Sequence, residues 1–347
     1  MSAGNRKVFI ILGLYRPDPV LLSRQLRSLV SQTHKSVEIL VCPDGPMELA
    51  ARGVIADFSV SPVHVLGFGD RVGVHANFAR GLGAALGDSG SAEDLFAFCD
   101  QDDLWHPDKL ERQIACFADP RTSLSHSDAR IVAREENVLV SSLFEHEERS
   151  REASLVDLLV MNSVSGMTAV FRRDVAEVAR QFPLSRNPHV LHDHWVALVA
   201  SLLGSIRFIH EPLADYTQHT ANVMGARSWQ EQPPRRGLPK DRRAYLRKSY
   251  REFLWRRHAL SELRRASVDL PIARGRLDGK IVSALFDCRS GGMAALALLA
   301  RYRLGGQARQ ADQVWRIIRG KSLFCAKRGS HHGRGRFPKR QELLSTT

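Results

Sequence analysis

Three carboxylates fall within four residues in Phe96-Ala97-Phe98-Cys99-Asp100-Gln101-Asp102-Asp103-Leu104-Trp105, directly behind a short apolar run. Such a run followed by acids reads as a buried strand that delivers them to the C-terminal edge of a sheet, where open α/β proteins bind ligands. Three like charges that close repel one another unless a positive charge stands between them. A hard divalent cation, Mg²⁺ or Mn²⁺, suits the position because it prefers oxygen ligands. The plain alternative is a solvated acidic turn, or a helix N-cap ahead of Pro107.

The elements needed to position these acids are legible on both sides. Val8-Phe9-Ile10-Ile11-Leu12 reads as a first buried strand, and Leu22, Leu26, Leu29 and Val30 then recur at helical spacing. Val37-Glu38-Ile39-Leu40-Val41-Cys42 reads as a second strand, ending at the turn Pro43-Asp44-Gly45-Pro46. A third run, Pro62 to Leu66, leads to a helix expected from His75 to Leu86, and another is expected after Pro107. This alternation predicts an α/β fold with a mostly parallel sheet flanked by helices. Asp44 and the cluster at 100–103 then share one rim. No G-x-G-x-x-G follows the first strand and no G-x-x-x-x-G-K-[ST] occurs, so neither glycine-loop mode of nucleotide binding is supported.

Charge divides the 347-residue chain. Residues 1–225 hold 21 Lys+Arg and 28 Asp+Glu, whereas residues 226–347 hold 29 and 9. The expected organisation is a catalytic domain over 1–225, a basic helical appendage over 226–326 and a disordered tail over 327–347. The five cysteines form no C-x-x-C pair and read as free thiols of a reducing cytosol. No signal peptide or transmembrane run is apparent, which gives a cytoplasmic expectation.

Ordered matches turn these readings into a resemblance. They begin with Ile10-Ile11-Leu12-Gly13-Leu14-Tyr15, Leu26-Arg27-Ser28-Leu29-Val30-Ser31-Gln32-Thr33 and Val37 through Gly45. Gly73-Val74-His75-Ala76-Asn77-Phe78 and Asp100 through Leu110 come next. Gly166-Met167-Thr168-Ala169-Val170-Phe171, His192-Asp193-His194-Trp195 and Tyr216 through Val223 complete the order. Over roughly residues 6–225 the chain resembles family 2 glycosyltransferases of the GT-A (Rossmann-like) fold, especially rhamnosyltransferase-type members.

The resemblance implies roles. Asp100 and Asp102 match the family's D-x-D positions, Asp102 toward the metal and Asp100 toward the ribose or the metal, with Asp103 in support. Asp44 matches the acid that contacts the nucleobase; Tyr15 flanks the base, and Asn77 lies near base and sugar. Asp193 aligns with the catalytic base that would deprotonate the acceptor hydroxyl, with a helix N-cap as the competing role. His192 and His194 would tune that base or be structural, and Trp195 reads as core. His219 would touch the diphosphate or the metal, or else bond to loop backbone.

Departures gather at the base and ribose subsite: Gly13, Arg16, Pro43 and Pro46 replace residues more frequent in the family. They put the nucleotide in question more than the reaction. The chain lacks Q-x-x-R-W, which implies single-sugar transfer. The expectation is an inverting, Mg²⁺- or Mn²⁺-dependent transfer from a nucleotide-sugar donor (dTDP-rhamnose or a UDP-sugar) to a saccharide or lipid-linked acceptor in cell-surface glycan synthesis. The basic region, with apolar residues at helical spacing from Lys240 to Arg265 and from Met293 to Tyr302, suits peripheral contact with an anionic membrane. Helices packed with a solvated arginine-rich face are the competing reading. A nucleic-acid-binding protein and a degenerate sugar-nucleotide-binding homologue are the rival functions. The acidic balance of residues 1–225 opposes the first, and the retained Asp100, Asp102 and Asp193 oppose the second.

Overall fold

The computed structural model of the chain describes residues 6–58, 62–67, 69–181, 191–219, 242–266, 277, 279–287 and 292–330. They fall in two compact units, residues 1–237 with 258–279 and residues 238–257 with 280–347. The first unit begins with β1 (Val8–Leu14), α1 (Pro19–Val30), β2 (Val37–Pro43), α2 (Leu49–Ala56), β3 (Val63–Val65) and α3 (Val74–Asp88). It continues through β4 (Leu95–Cys99), β5 (Leu104–Trp105), α4 (Lys109–Ala115), β6 (Thr122–Val132) and β7 (Val138–Val140). Helices α5 (Leu143–His146) and α6 (Leu155–Val160), β8 (Ala169–Arg172), α7 (Arg173–Ala179), α8 (His192–Leu203) and β9 (Ser205–Thr217) follow.

Among the described residues the strands form one nine-stranded sheet in the order β3-β2-β1-β4-β8-β6-β9-β5, with β7 beside β6. The β3-β2-β1-β4 half is parallel throughout, as the alternation of strands and helices predicts. Beyond it the sheet is mixed. Strand β8 runs antiparallel to both β4 and β6, β9 is parallel to β6, and β5 is antiparallel to β9.

Strands β1 and β4 read as unbroken apolar runs because both their faces are covered. Val8, Ile10 and Leu12 pack with Leu22, Leu26 and Leu29 of α1 on one side. On the other, Phe9 stacks on Phe96, and Phe96 and Phe98 both meet Phe171. Helix α1 starts where Asp18 accepts from the Val20 and Leu21 N–H groups and Pro19 opens the first turn. Gly13 leaves room for a ring: a Cβ there would lie 2.8 Å from Phe78.

Register sets the functional rim. Leu14 pairs with Pro43 and Leu12 with Cys99, so the loops beginning at Tyr15, Asp44 and Asp100 leave the sheet at the same edge. Strand β5 follows the acidic loop at once and pairs Leu104 with Asp215 and Trp105 with Ala214, which brings the end of β9 back to that loop.

The second unit holds residues 242–257 of α9 (Arg242–Ala266) with α10 (Lys280–Phe286), α11 (Met293–Leu304) and α12 (Ala308–Ser330). Phe253 packs against Phe286 and Phe324, Arg256 donates to Gln313 at 2.9 Å, and Arg316 pairs with Glu252. Cys42, Cys99 and Cys116 are free thiols, but Cys325 is disulfide-bonded, against the expectation of five free cysteines. Among the described residues no helix is long and apolar enough to cross a membrane. The expected tail over 327–347 lies largely outside the described residues.

Candidate active site

A cleft of about 300 Å³ opens at the ends of β1 and β2. Tyr15, Arg16, Pro43, Asp44, Glu48 and Arg71 are among its walls. The Arg71 guanidinium stands 4.3 Å from the Tyr15 ring centroid and that of Arg16 stands 5.4 Å away, so two cations lie over the ring. Arg16 has φ 43°, a left-handed conformation that asparagine tolerates better than arginine. Asp44 lines the cleft, but its carboxylate also accepts from the Val72 N–H at 2.7 Å and the Gly73 N–H at 3.0 Å, so it fastens the loop that carries Arg71. Gln101 bonds to both backbone groups of Tyr15.

Asn77, expected near base and sugar, has its side chain engaged within the fold. It is buried on α3, its amide donates to the Cys42 carbonyl at 2.7 Å, and its oxygen accepts from Arg80 Nε at 2.9 Å. Arg80 in turn donates to the Pro43 carbonyl at 2.8 Å. Asn77 therefore supports the floor of the cleft through β2 and Arg80.

The acidic loop is tied to the end of β9. His219 Nε2 lies 2.9 Å from Asp102 Oδ2. Asp103 is wholly buried; its Oδ1 accepts from the Thr217 N–H at 3.1 Å, and its Oδ2 is a buried oxygen without a hydrogen-bond partner. Arg24 of α1 donates to the Asp102 carbonyl at 3.2 Å and to the Thr217 hydroxyl. Loss of solvent pushes all three carboxyls upward. Asp100 reaches about 7, with the charges of Asp102 and Asp193 adding to desolvation. Asp102 is raised by burial, opposed by His219, and Asp103 is raised well above the carboxylate range by burial and its two acidic neighbours.

Asp193 reaches the same site from α8. Leu191 occupies the N-cap and Asp193 the second helical position, so the competing N-cap role is not the one it takes. Its Oδ1 accepts from the His194 N–H at 2.6 Å. Desolvation pushes its carboxyl up to about 6, against the pull of the His194 and Gly166 N–H groups and the charge of Arg149. Gly166 fits closely: a Cβ there would meet His192 Nε2 at 3.0 Å. His192 itself stacks on Phe78 at 4.0 Å and meets Phe98 edge-on; neither ring nitrogen has a hydrogen-bond partner, so it packs beside Asp193 without bonding to it. His194 is buried and bonds to the Leu158 carbonyl, and Trp195 is core, its indole donating to the Ala179 carbonyl.

Among the described residues no group of three or more His, Cys, Asp and Glu side chains stands ready-made for a metal. The chemistry of the donor set nonetheless fits one. Asp100 and Asp102 offer hard oxygens in a crowded, desolvated pair, and the buried Asp103 Oδ2 behind them has no other partner. The structure thus brings together Tyr15 with Asp44 at the cleft and Asp100, Asp102 and His219 at the acidic loop, and sets the Asp193 charge near Asp100. Arg24, Arg71, Gln101 and Arg149 were not singled out from the sequence. Each makes its contact across the fold, and a lone arginine or glutamine carries no local signal of that.

Much of the chain is similar to known proteins. Residues 15–179 match the model of glycosyl transferase family 2. An uncharacterized glycosyltransferase of Nostoc sp. strain PCC 7120, alr2836, is 27% identical over 230 residues, 62% of this chain and 66% of its own. Rv1520 of Mycobacterium tuberculosis strain H37Rv is 28% identical over 157 residues, 44% of this chain and 41% of its own. The chain thus spans less than two thirds of the length of these relatives. Among solved structures, the mannosyltransferase PcManGT from Pyrobaculum calidifontis, in complex with GDP-Man and Mn²⁺, aligns at 16% identity and TM-score 0.48, covering 92% of this chain and 87% of that one. Residues 1–349 of S. aureus TarS, in complex with UDP-GlcNAc, align at 15% identity and TM-score 0.45, covering 93% and 92%. The matched family model spans the cleft, the acidic loop and the Gly166 turn, just under half of the chain.

Proposed function

We propose that the chain transfers a single sugar, with inversion, from a nucleotide-sugar donor to the hydroxyl of a saccharide or lipid-linked acceptor, and that dTDP-rhamnose or a UDP-sugar is the donor. One observation carries this reading: the Tyr15–Asp44 cleft and the Asp100–Asp102 loop leave the parallel sheet at one edge, with the charge of Asp193 felt at Asp100. The base would lie against Tyr15 and Arg71, and Asp100 and Asp102 would hold Mg²⁺ or Mn²⁺. When bound, that cation would act as a Lewis acid toward the leaving diphosphate.

Asp193 would take the proton of the acceptor hydroxyl. The freed oxygen attacks the anomeric carbon from the face opposite the diphosphate, the new C–O bond forms, and the old one breaks with its electron pair leaving on the diphosphate. A carboxyl raised to about 6 is ionised at neutral pH yet more basic than an exposed aspartate, which suits a general base. His219 would steady Asp102.

A peripheral, cytoplasmic-face membrane location fits α11. Ala295, Leu298, Leu299 and Tyr302 are buried, while Met293, Leu296 and Leu304 are exposed on the other face, between Arg301 and Arg303. A helix apolar on both faces with arginines at its margin suits an anionic lipid surface.

The test of the reaction is a screen of nucleotide-sugars for Mn²⁺- or Mg²⁺-dependent binding and hydrolysis, run beside Asp102→Ala. One donor should bind with metal and lose that dependence in the variant. Equal binding with and without metal, unchanged by the substitution, would overturn the metal assignment. Binding of nucleic acid in place of any nucleotide-sugar would favour the rival reading.

A further inference from the structure

Gln101 sits between the two aspartates assigned to the diphosphate side, yet its side chain turns to the other half of the site. Its Oε1 accepts from the Tyr15 N–H at 2.8 Å, and its Nε2 donates to the Tyr15 carbonyl at 3.0 Å. Both functional ends of one amide are thus used on both backbone groups of one residue, 86 positions away. The arrangement imitates a pair of strand hydrogen bonds where no strand runs, since β1 ends at Leu14. The next residue, Arg16, holds φ 43°, a conformation that persists only where its surroundings fix it. Tyr15 is also the platform over which Arg71 and Arg16 place their guanidinium groups.

We infer that Gln101 is a positioning residue that locks the base cleft to the acidic loop, so that a nucleoside and its diphosphate are held in one register. This deepens the proposed function and rests on it. Gln101 touches neither base nor phosphate in this role; it acts through Tyr15. Without the clamp the acidic loop keeps its own ties to β9 through Asp103 and Thr217, and to His219 and Arg24. The base platform loses its support from the acidic loop. The loss therefore falls on ligands that span the two subsites and spares those that occupy only the acidic one.

Inorganic pyrophosphate and a nucleoside diphosphate separate the two cases. With Mn²⁺ present, the affinities of pyrophosphate, UDP, dTDP and GDP are measured by calorimetry for the full chain and for Gln101→Ala and Gln101→Met, the second preserving side-chain bulk. The preferred nucleoside diphosphate should weaken about tenfold in both variants, equivalent to about 1.4 kcal/mol. Pyrophosphate should stay within twofold, and the loss should appear in donor KM more than in kcat, as for binding energy realised in ground and transition states alike. If both variants weaken pyrophosphate as much as the nucleotide, or keep the wild-type preference for the nucleotide, the clamp is overturned while the cleft stands. If the wild-type chain binds no nucleoside diphosphate more tightly than pyrophosphate, the reading of the cleft as a base site falls, and the clamp with it.

Discussion

His219 Nε2 and Asp102 Oδ2 stand 2.9 Å apart although 117 residues separate them. The contact follows from the short strand β5, which leaves the acidic loop and pairs antiparallel with β9, so that the residues just past the end of β9 return over the acids. The carboxylate partnered by the imidazole is the one assigned to the metal. Partners of this kind orient a ligand and typically govern metal affinity by 10–100-fold. His219→Ala should weaken Mn²⁺ binding by about that factor, read by the free-Mn²⁺ resonance signal, and His219→Gln should recover part of it. Unchanged Mn²⁺ affinity in His219→Ala would remove His219 from the metal's surroundings.

Asp193 carries a pH signature whose sign follows from its environment. Its carboxyl is raised to about 6, so the ionised base accumulates as pH rises through that value. kcat/KM should climb from pH 5 to pH 7 and level off above. Arg149 opposes the rise, so Arg149→Met should move the inflection to higher pH. A profile flat between pH 5 and pH 7 would exclude Asp193 as the titrating base.

The same shift makes a statement about stability. A carboxyl raised above its unfolded value near 3.9 favours the folded state least when ionised, so its penalty grows between about pH 4 and pH 6 and is constant above. Asp193→Asn keeps an oxygen for the His194 N–H and removes the charge. It should abolish transfer, with a loss of at least 100-fold in kcat, yet raise the melting temperature at pH 7.5 and leave it nearly unchanged at pH 4. A fall in melting temperature at pH 7.5 would show that the ionised carboxylate is stabilising where it sits.

The elements that hold this site were legible where physics is local. Strand β4 and its acids announce themselves because a strand covered on both faces must be apolar to its end, and charge then marks the rim. Asp44 was placed on the same rim by the same reasoning. What was not legible is whatever depends on a partner across the fold. Asn77 reads as lying near base and sugar, and no local signal shows that its amide bonds to Cys42 and Arg80. His192 reads either as tuning the base or as structural, and its packing against Phe78 and Phe98 fits the structural role. The antiparallel insertion of β8 beside β4 has no sequence signal either, since Ala169-Val170-Phe171-Arg172 looks the same in either direction.

Gly13 and Phe78 form a coupled pair. A Cβ at Gly13 would lie within 2.8 Å of the ring, so Gly13→Ser should cost about 1–3 kcal/mol as an overpacking change. Phe78→Leu should cost a similar amount alone by leaving a cavity beneath His192 and Phe98. Together they should cost less than the sum, because the smaller side chain vacates the space the serine needs. Denaturant unfolding of the two single variants and the double variant measures the coupling, and strict additivity would mean that the ring moves aside without strain.

The exposed face of α11 offers the last prediction. Met293 is 77% exposed and Leu304 89%, and Leu296 lies between them on the same face. Burying such side chains in lipid is worth about 1.5–3 kcal/mol each when complete, and each nearby cation adds about 1 kcal/mol at an anionic surface. Leu296→Asp with Leu304→Asp removes two apolar groups and sets negative charge beside Arg301 and Arg303. Flotation with phosphatidylglycerol vesicles should fall at least tenfold in the double variant, and binding of a soluble nucleotide-sugar should be unaffected. Neutral phosphatidylcholine vesicles should capture the wild-type chain poorly, because they offer the apolar layer without the charge. Equal flotation of wild type and variant on anionic vesicles would assign the contact to other basic residues of the chain, and no flotation of either would overturn the membrane contact.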